Sequence, residues 1–426
     1  MMRVLTLSLA ALLLSAPYSV AEPVSLADAV RQAIATSPDI ESAEASLDSA
    51  AADLDQARGQ RGISVGAQAQ LGVSETDFTT GSISQVPRQV GLQAELPLYT
   101  SGSLASAESA ARHGIRSAEE TIAGTKESVA LNTVEAYTRL WLALQALDVT
   151  ENEVETLQLR NNETASRLDQ GLATRTDTAL AASRLASARA RLASREADLA
   201  AGRSRFERLT GLDEATPLNP ETVDLTLPPT QAEALAMARQ NNPGLAAARA
   251  QLEAARSREN QVRGEFGPKV SLKARASTGE DVYFFFEDQI TDAGAFVSVE
   301  VPLFTNGVKP AAINKAGAGR RAAAAALRSR QLELDDTVRA LWYRVIAQRQ
   351  ALEAASSAET AAEIATDGAR REQDLGLRTL VDMLDAEDDY RRAAIARRSA
   401  EADLLVAKAR LLAMLSGLES QLVEGF

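Results

Sequence analysis

Polar and apolar positions alternate along this chain in short runs, and each time the alternation gives way to a helical period. From 63 to 73 every odd position is apolar (Ile63, Val65, Ala67, Ala69, Leu71, Val73), while Ser64, Gly66, Gln68, Gln70 and Gly72 fill the even ones. This period of two predicts a strand long enough to cross a membrane at a tilt. A polar loop at Ser74–Arg88 leads to a second run, in which Val90, Leu92, Ala94, Leu96 and Leu98 interleave with Gly91, Gln93, Glu95 and Pro97. The same pattern returns at Val270–Ser277 and Ala293–Leu303, around a loop at Thr278–Asp292. Ala43–Arg58 reads as helix. From Leu104 to about Asp169 there is no proline, and Tyr137, Leu140, Leu144, Leu147 and Val154 form a coiled-coil-like seam. Trp342, Val345 and Leu352 take the equivalent places later in the chain. A helix of roughly 65 residues is a rod near 100 Å long. Gly171 and Gly376 break these rods, and a second helix returns from each to Leu209 or Leu415.

The recurrence is an internal duplication. Ser25-Leu26-Ala27-Asp28-Ala29 aligns with Thr230-Gln231-Ala232-Glu233-Ala234 at an offset of 205. Glu95-Leu96-Pro97-Leu98-Tyr99-Thr100-Ser101-Gly102 aligns with Glu300-Val301-Pro302-Leu303-Phe304-Thr305-Asn306-Gly307 at the same offset, as do Gly171 with Gly376 and Asp177 with Asp382. The expected organisation is a first repeat at 22–212, with strands about 63–73 and 90–98 and helices about 104–169 and 176–210. A linker follows at 213–229. The second repeat, 230–417, has strands about 270–277 and 293–303 and helices about 309–374 and 380–415. Residues 418–426 form a tail. The fold class is mainly α with a small β membrane part.

Composition narrows the chemistry. The 426 residues include no cysteine, one histidine (His113) and 4 % aromatics, with a formal charge of −13. Disulfides, thiolate metal sites, catalytic cysteines and His-based triads are excluded. An acidic chain without a basic block is not built to bind a nucleic-acid backbone. Alanine-rich sequence with few large side chains suits helices packed on helices, without one compact core. Gly317-Ala318-Gly319 lacks the preceding strand and following Lys-Ser/Thr of a phosphate loop. His113 reads as packed or solvated on a helix face. Since no nucleophile–base pair stands out, the chain is expected to be neither an enzyme nor a cofactor binder.

Met1-Met2-Arg3, the apolar run Val4–Leu14 and the small residues before Ala21 read as a signal peptide, 1–21, cleaved after Ala21. No later stretch reads as a membrane helix, so a mature chain that crosses a membrane must do so with strands. Membrane strands must close on themselves, and bacterial barrels have an even count of at least about 8. One chain offers four, so the barrel is shared: two copies suffice arithmetically, and three give twelve strands. Both strand loops lie opposite the helices, at the cell surface. The aromatic cluster Tyr283–Phe286 falls in one of them and either plugs the mouth or meets lipid. Pro97 and Tyr99, with Pro302 and Phe304, mark the strand–helix junctions, where proline suits the bend and an aromatic suits the bilayer interface.

On the duplication, the paired strands, the Pro-Leu-aromatic-x-x-Gly junctions and the tip Gly376-Leu377-Arg378-Thr379-Leu380-Val381-Asp382-Met383-Leu384-Asp385, the mature chain resembles the TolC family of outer-membrane efflux and secretion channels. The resemblance implies a homotrimer in which a twelve-stranded β-barrel in outer-membrane lipid stands on a tapering periplasmic α-helical barrel. Its implied function is a passive exit duct for small molecules or unfolded polypeptides. The implied partners are a periplasmic adaptor and an inner-membrane transporter of the ABC, RND or MFS type. The tip would be closed by polar links among Thr176, Asp177, Gln373 and Arg378, with Gln373 standing where the family pattern has tyrosine. Adaptor contact would fall at Gly171, Leu172, Gly376 and Leu377. Asp382 and Asp385 share a helix face and in a trimer would form stacked carboxylate rings favouring cations. Against that, Asp177 and Asp382 also sit in the first helical turn, where the dipole favours acids. The alternatives are the adaptor itself, which has one hairpin rather than two equal units, and a soluble periplasmic coiled-coil scaffold.

Overall fold

The computed structural model describes residues 23–79, 81–213, 216–217, 219, 223–280 and 289–424. The segment read as a signal peptide and the cluster Tyr283–Phe286 lie outside the described residues. The chain begins with β1 (Pro23–Val24), α1 (Leu26–Thr36), α2 (Pro38–Gly59), β2 (Ser64–Leu71), β3 (Ser74–Phe78), β4 (Gly81–Gln85) and β5 (Arg88–Tyr99). Then come α3 (Ser103–Asp169), α4 (Arg175–Thr210), β6 (Thr216–Pro217), α5 (Gln231–Asn241) and α6 (Pro243–Glu265). The second half ends with β7 (Lys269–Glu280), β8 (Ile290–Glu300), α7 (Val308–Asp374), α8 (Leu380–Leu415) and a π-helical turn at Ser420–Glu424.

Four strands form one antiparallel sheet in the order β2-β5-β7-β8, so strands of both repeats alternate up and down. Register explains its two faces. Ala67 pairs with Leu92, Leu92 with Ala276, and Ala276 with Ala293, so the alternating apolar positions merge into one apolar face. Val65, Leu92, Val297 and Val299 on that face are more than half exposed. The opposite face is polar and carries cross-strand ion pairs: Lys273 Nζ lies 3.6 Å from Glu95 Oε1, and Arg275 Nε lies 3.3 Å from Asp292 Oδ2. Phe296, opposite Lys273, interrupts this polar face.

Four segments depart from the sequence expectation. Ser74–Arg88, read as a loop, folds instead as the β3–β4 hairpin, in which Thr76 pairs with Ile83. Its residues are almost all polar, so backbone pairing forms without the apolar alternation that would have announced it. The loop read at Thr278–Asp292 is shorter, because β7 runs to Glu280 and β8 starts at Ile290. The strand expected to reach 303 ends at Glu300, just before Pro302, which has no N–H for a ladder. The tail packs, with Leu418 and Leu422 buried in the central core.

Each long helix spans 67 residues, but its return helix spans 36. The shorter helix covers only about half the rod. Over the rest, α3 packs against α2 and α6, and α7 packs against α6. The core gathers where α4 and α8 end, joining α1, α3, α5, α6, α7 and α8 with Leu225 of the inter-repeat segment. Tyr137 is its largest fully buried side chain: its ring meets Phe206 edge-on at 6.1 Å, and its hydroxyl donates to Val24 O at 2.8 Å. Burying a side chain of this size contributes about 1.5–3 kcal/mol.

The junctions between strand and helix repeat as well. Ser101-Gly102 and Asn306-Gly307 adopt consecutive left-handed conformations, with φ of 51° and 80°, then 46° and 82°. The first junction is pressed against the end of α6. A Cβ on Gly264 would lie 2.7 Å from Ser101 O and Ser103 N, so only glycine fits there. Pro97 sits beyond the last β2–β5 pair, Ser64 with Glu95, where its missing N–H interrupts no ladder with β2. Tyr99 and Phe304 are both exposed.

Candidate functional site

The helical tips are built alike in both repeats. Gly171 and Gly376 take left-handed φ values of 75° and 73°. Leu172 N–H then donates to Arg167 O at 2.7 Å, and Leu377 N–H to Glu372 O at 2.8 Å, closing the ends of α3 and α7. The turns leave Leu172 and Leu377 about three-quarters exposed, with Leu375 beside them. Two apolar knobs of matching geometry therefore stand at the far end of the rods.

The returning helices start with matching caps. Thr174 Oγ1 accepts from Asp177 N–H at 3.1 Å, and Asp177 Oδ2 accepts from Thr174 N–H at 2.9 Å, a reciprocal capping box. In α8, Thr379 Oγ1 accepts from Asp382 N–H at 3.2 Å and donates to Asp382 Oδ2 at 2.7 Å. Hydrogen bonds from the Thr174 amide and hydroxyl hold the Asp177 carboxyl below the usual range. The Thr379 hydroxyl does the same for Asp382, helped by the Thr379 amide and the Arg378 charge. Both acids thus remain ionised while capping their own helices.

The four residues expected to link hairpins are not joined to one another within a single chain, among the described residues. Arg378 Nε lies 3.0 Å from Glu372 Oε2 of its own hairpin. Asp177 is held by Thr174, Thr176 is exposed, and Gln373 is half-buried. Asp385 does cross between hairpins, although its partner was not foreseen: Arg184 Nη2 of α4 donates to Asp385 Oδ1 at 2.6 Å.

Around this pair the hairpins interlock. Leu157, Leu185, Ala188, Met383 and Leu384 form a small buried cluster drawn from α3, α4 and α8. A layer of charge lies against it. Arg191 Nη2 of α4 donates to Glu153 Oε1 of α3 at 2.5 Å. Arg391 of α8 is shared, 4.0 Å from Glu153 and 3.8 Å from Glu387. Arg370 Nε of α7 donates to Glu387 Oε1 at 3.0 Å. Glu387 is only 3 % exposed. Sequence shows the Glu387–Arg391 spacing of four residues, but the burial arises from the meeting of two hairpins. Among the described residues no cluster of acids and histidine is suited to a metal, and no helix is long and apolar enough to cross a membrane.

A family model described as outer membrane efflux protein matches residues 29–212 and 234–417, once per repeat. The outer membrane efflux protein BepC of Brucella suis biovar 1 (strain 1330) is 26 % identical over 338 residues, spanning 79 % of this chain and 72 % of BepC. Crystal structures of CusC, described as showing conformational changes that accompany folding and transmembrane channel formation, superpose with a TM-score of 0.80 at 18 % identity, covering 94 % of this chain and 96 % of that one. The Campylobacter jejuni CmeC outer membrane channel superposes at 0.77 with 17 % identity, covering 92 % of this chain and 85 % of CmeC.

Proposed function

The chain belongs to the outer membrane efflux protein family, and from that premise we propose how its duct is closed, gated and coupled. Family membership makes it an outer-membrane efflux duct that assembles as an oligomer and works with inner-membrane components. Our reading is a homotrimer. The observation that carries it is the four-stranded sheet with one apolar face, one polar face and outer edges on β2 and β8 that are unpaired among the described residues. An open edge cannot face lipid, because its amides and carbonyls would have no partners. The strands alternate in direction, so β8 of one copy can meet β2 of the next antiparallel. Three copies would close twelve strands, with the apolar face toward lipid and the Lys273–Glu95 and Arg275–Asp292 pairs toward water.

In this arrangement the rods point into the periplasm, and Leu172 and Leu377 with Gly171 and Gly376 meet a periplasmic adaptor. The gate is held by links between hairpins. Arg184–Asp385 supplies one within each chain, and Thr176, Asp177, Gln373 and Arg378 are available to neighbouring copies. Asp382 and Asp385 from three copies would ring the opening. Since Asp385 shares its charge with Arg184, Asp382 contributes most of the ring's field. Cations would be favoured and anions repelled. The cargo is small molecules or unfolded polypeptides handed over by a transporter.

Reconstitution of the purified oligomer in planar bilayers tests this reading. Cation-selective channels with a low resting conductance are expected, and Asp382→Asn should reduce the selectivity. A protein that forms no channels, or channels whose selectivity Asp382→Asn leaves unchanged, contradicts the duct or the ring respectively.

A further inference from the structure

The duplication builds the same glycine notch twice, and one of the two is open to solvent. At the end of α6, Ser101 and Ser103 press into the first: a Cβ on Gly264 would lie 2.7 Å from Ser101 O and Ser103 N, and one on Gly267 would overlap the Ser101 side chain. Ser101 Oγ also donates to Pro268 O at 2.6 Å. The residues at the 205 offset are Gly59, Gly62 and Ile63, at the end of α2. Their backbone turns alike. Gly62 N–H donates to Gly59 O at 2.9 Å, as Gly267 N–H does to Gly264 O at 3.0 Å. Yet among the described residues nothing lies within 4 Å of a Cβ on Gly59, and one on Gly62 would meet only Gly59 O of its own turn. Ile63 is exposed.

The element that fills the first notch is duplicated too. Asn306 and Val308 stand where Ser101 and Ser103 do, and Val308 N–H donates to Thr305 O at 2.9 Å as Ser103 N–H does to Thr100 O at 3.0 Å. In the first repeat the strand end beside this junction is paired: Leu96, Pro97 and Tyr99 lie opposite Leu272, Ser271 and Val270 of β7. Their counterparts Val301, Pro302 and Phe304 have no strand partner among the described residues, and Leu303 and Phe304 are almost fully exposed. The registers within the two repeats coincide at the offset. Ser64 opposite Glu95 becomes Lys269 opposite Glu300, and Leu71 opposite Arg88 becomes Ala276 opposite Ala293.

We propose that the Asn306 junction docks into the Gly59–Gly62 notch of a second copy of this chain, and that the β5–β7 register fixes the seam between copies. The inference rests on the shared barrel proposed above. Carried over by the offset, Leu92 opposite Ala276 becomes Val297 opposite Leu71 of the neighbouring copy, both on the apolar face. Gly91 opposite Ser277 becomes Phe296 opposite Gly72. The one aromatic that interrupts the polar face thus lies over a glycine, which leaves room for its ring. The equivalent pair is small on both sides, so the duplication alone did not demand this fit. Val301, Pro302 and Phe304 then meet Ala67, Gly66 and Val65, and the Asn306 side-chain amide donates to Ile63 O as Ser101 does to Pro268 O. Pro97 keeps its place opposite Ser271, so Pro302 is no bar to the same pairing. Register and notch constrain each other. A slip of one residue would turn Val297 to the polar face, and a slip of two would carry Asn306 about 7 Å from the notch.

The absence of native cysteine makes the test direct. Leu71→Cys combined with Val297→Cys should form interchain disulfides when the full-length oligomer in detergent is oxidised, because β5 and β7 separate the two positions within one chain. Leu71→Cys with Val299→Cys, two residues out of register on the same face, should crosslink about tenfold less, since diagonal neighbours lie beyond easy disulfide reach. Gly59→Leu fills space that is open in the single chain. Its helix content by circular dichroism should be unchanged, while the oligomer is lost in native mass spectrometry. An oligomer that persists in Gly59→Leu overturns the notch. In an intact oligomer, equal crosslinking of the two cysteine pairs, or none from the aligned pair, overturns the register. A protein that forms no oligomer before any substitution overturns the shared barrel itself, and the notch with it.

Discussion

Arg184 and Asp385 meet at 2.6 Å, joining the returning helix of the first repeat to the returning helix of the second. They lie 201 residues apart in sequence and sit beside the small apolar cluster of Leu185 and Met383. This pair, half exposed, contributes at most about 1 kcal/mol to folding, yet it bridges the two hairpins near the tip. Arg184→Ala should therefore raise resting conductance in planar bilayers while leaving thermal stability nearly unchanged. An unaltered closed level would place the constraint elsewhere.

The charged layer behaves differently because it is buried. Arg391 lies within 4.0 Å of acids from both hairpins, Glu153 and Glu387. Arg391→Met should destabilise the protein by about 2–3 kcal/mol, because Glu153 and Glu387 lose a shared partner in a desolvated site. Denaturant unfolding of the detergent-solubilised protein measures this. A change below about 0.5 kcal/mol would show that Arg191 and Arg370 satisfy the two acids alone.

Much of this architecture can be read in the sequence because it is written in local periods and in a constant offset. The alternation at Ile63–Val73, the seam through Tyr137 and Leu140, and the paired glycines 171 and 376 each follow from backbone geometry. The β3–β4 hairpin was invisible because Ser74–Phe78 and Gly81–Gln85 lack an apolar face. Arg184–Asp385 and the Glu153–Arg391–Glu387 layer were hidden for another reason. Their partners are set by which hairpin faces pack, and an arginine that crosses between helices looks in sequence like any solvated one. The acids at Asp177 and Asp382 could be read two ways from sequence, and within one chain they are caps.

Gly264 separates fit from flexibility. Gly264→Ala would drive a Cβ to 2.7 Å from the backbone of Ser101 and Ser103, costing about 1–3 kcal/mol. Gly319→Ala, in α7 with open space around it, should be neutral or stabilising by about 0.5–1 kcal/mol. Thermal melts of the two variants give the comparison, and equal effects would contradict the close approach at the strand–helix junction.

The tips should be separable from assembly. Leu172→Asp and Leu377→Asp alter exposed knobs outside the core, so the oligomer should form normally while site-specific crosslinking from the tips to a periplasmic partner falls sharply in cells. Retained crosslinking in the double variant would move the docking surface away from the turns.

The shared barrel stands or falls on the number of copies that close the edges of β2 and β8. Native mass spectrometry of the intact oligomer released from detergent measures it directly. The account predicts a single species of three chains, closing twelve strands. A stable dimer, with eight strands, or a monomer that conducts on its own would contradict it.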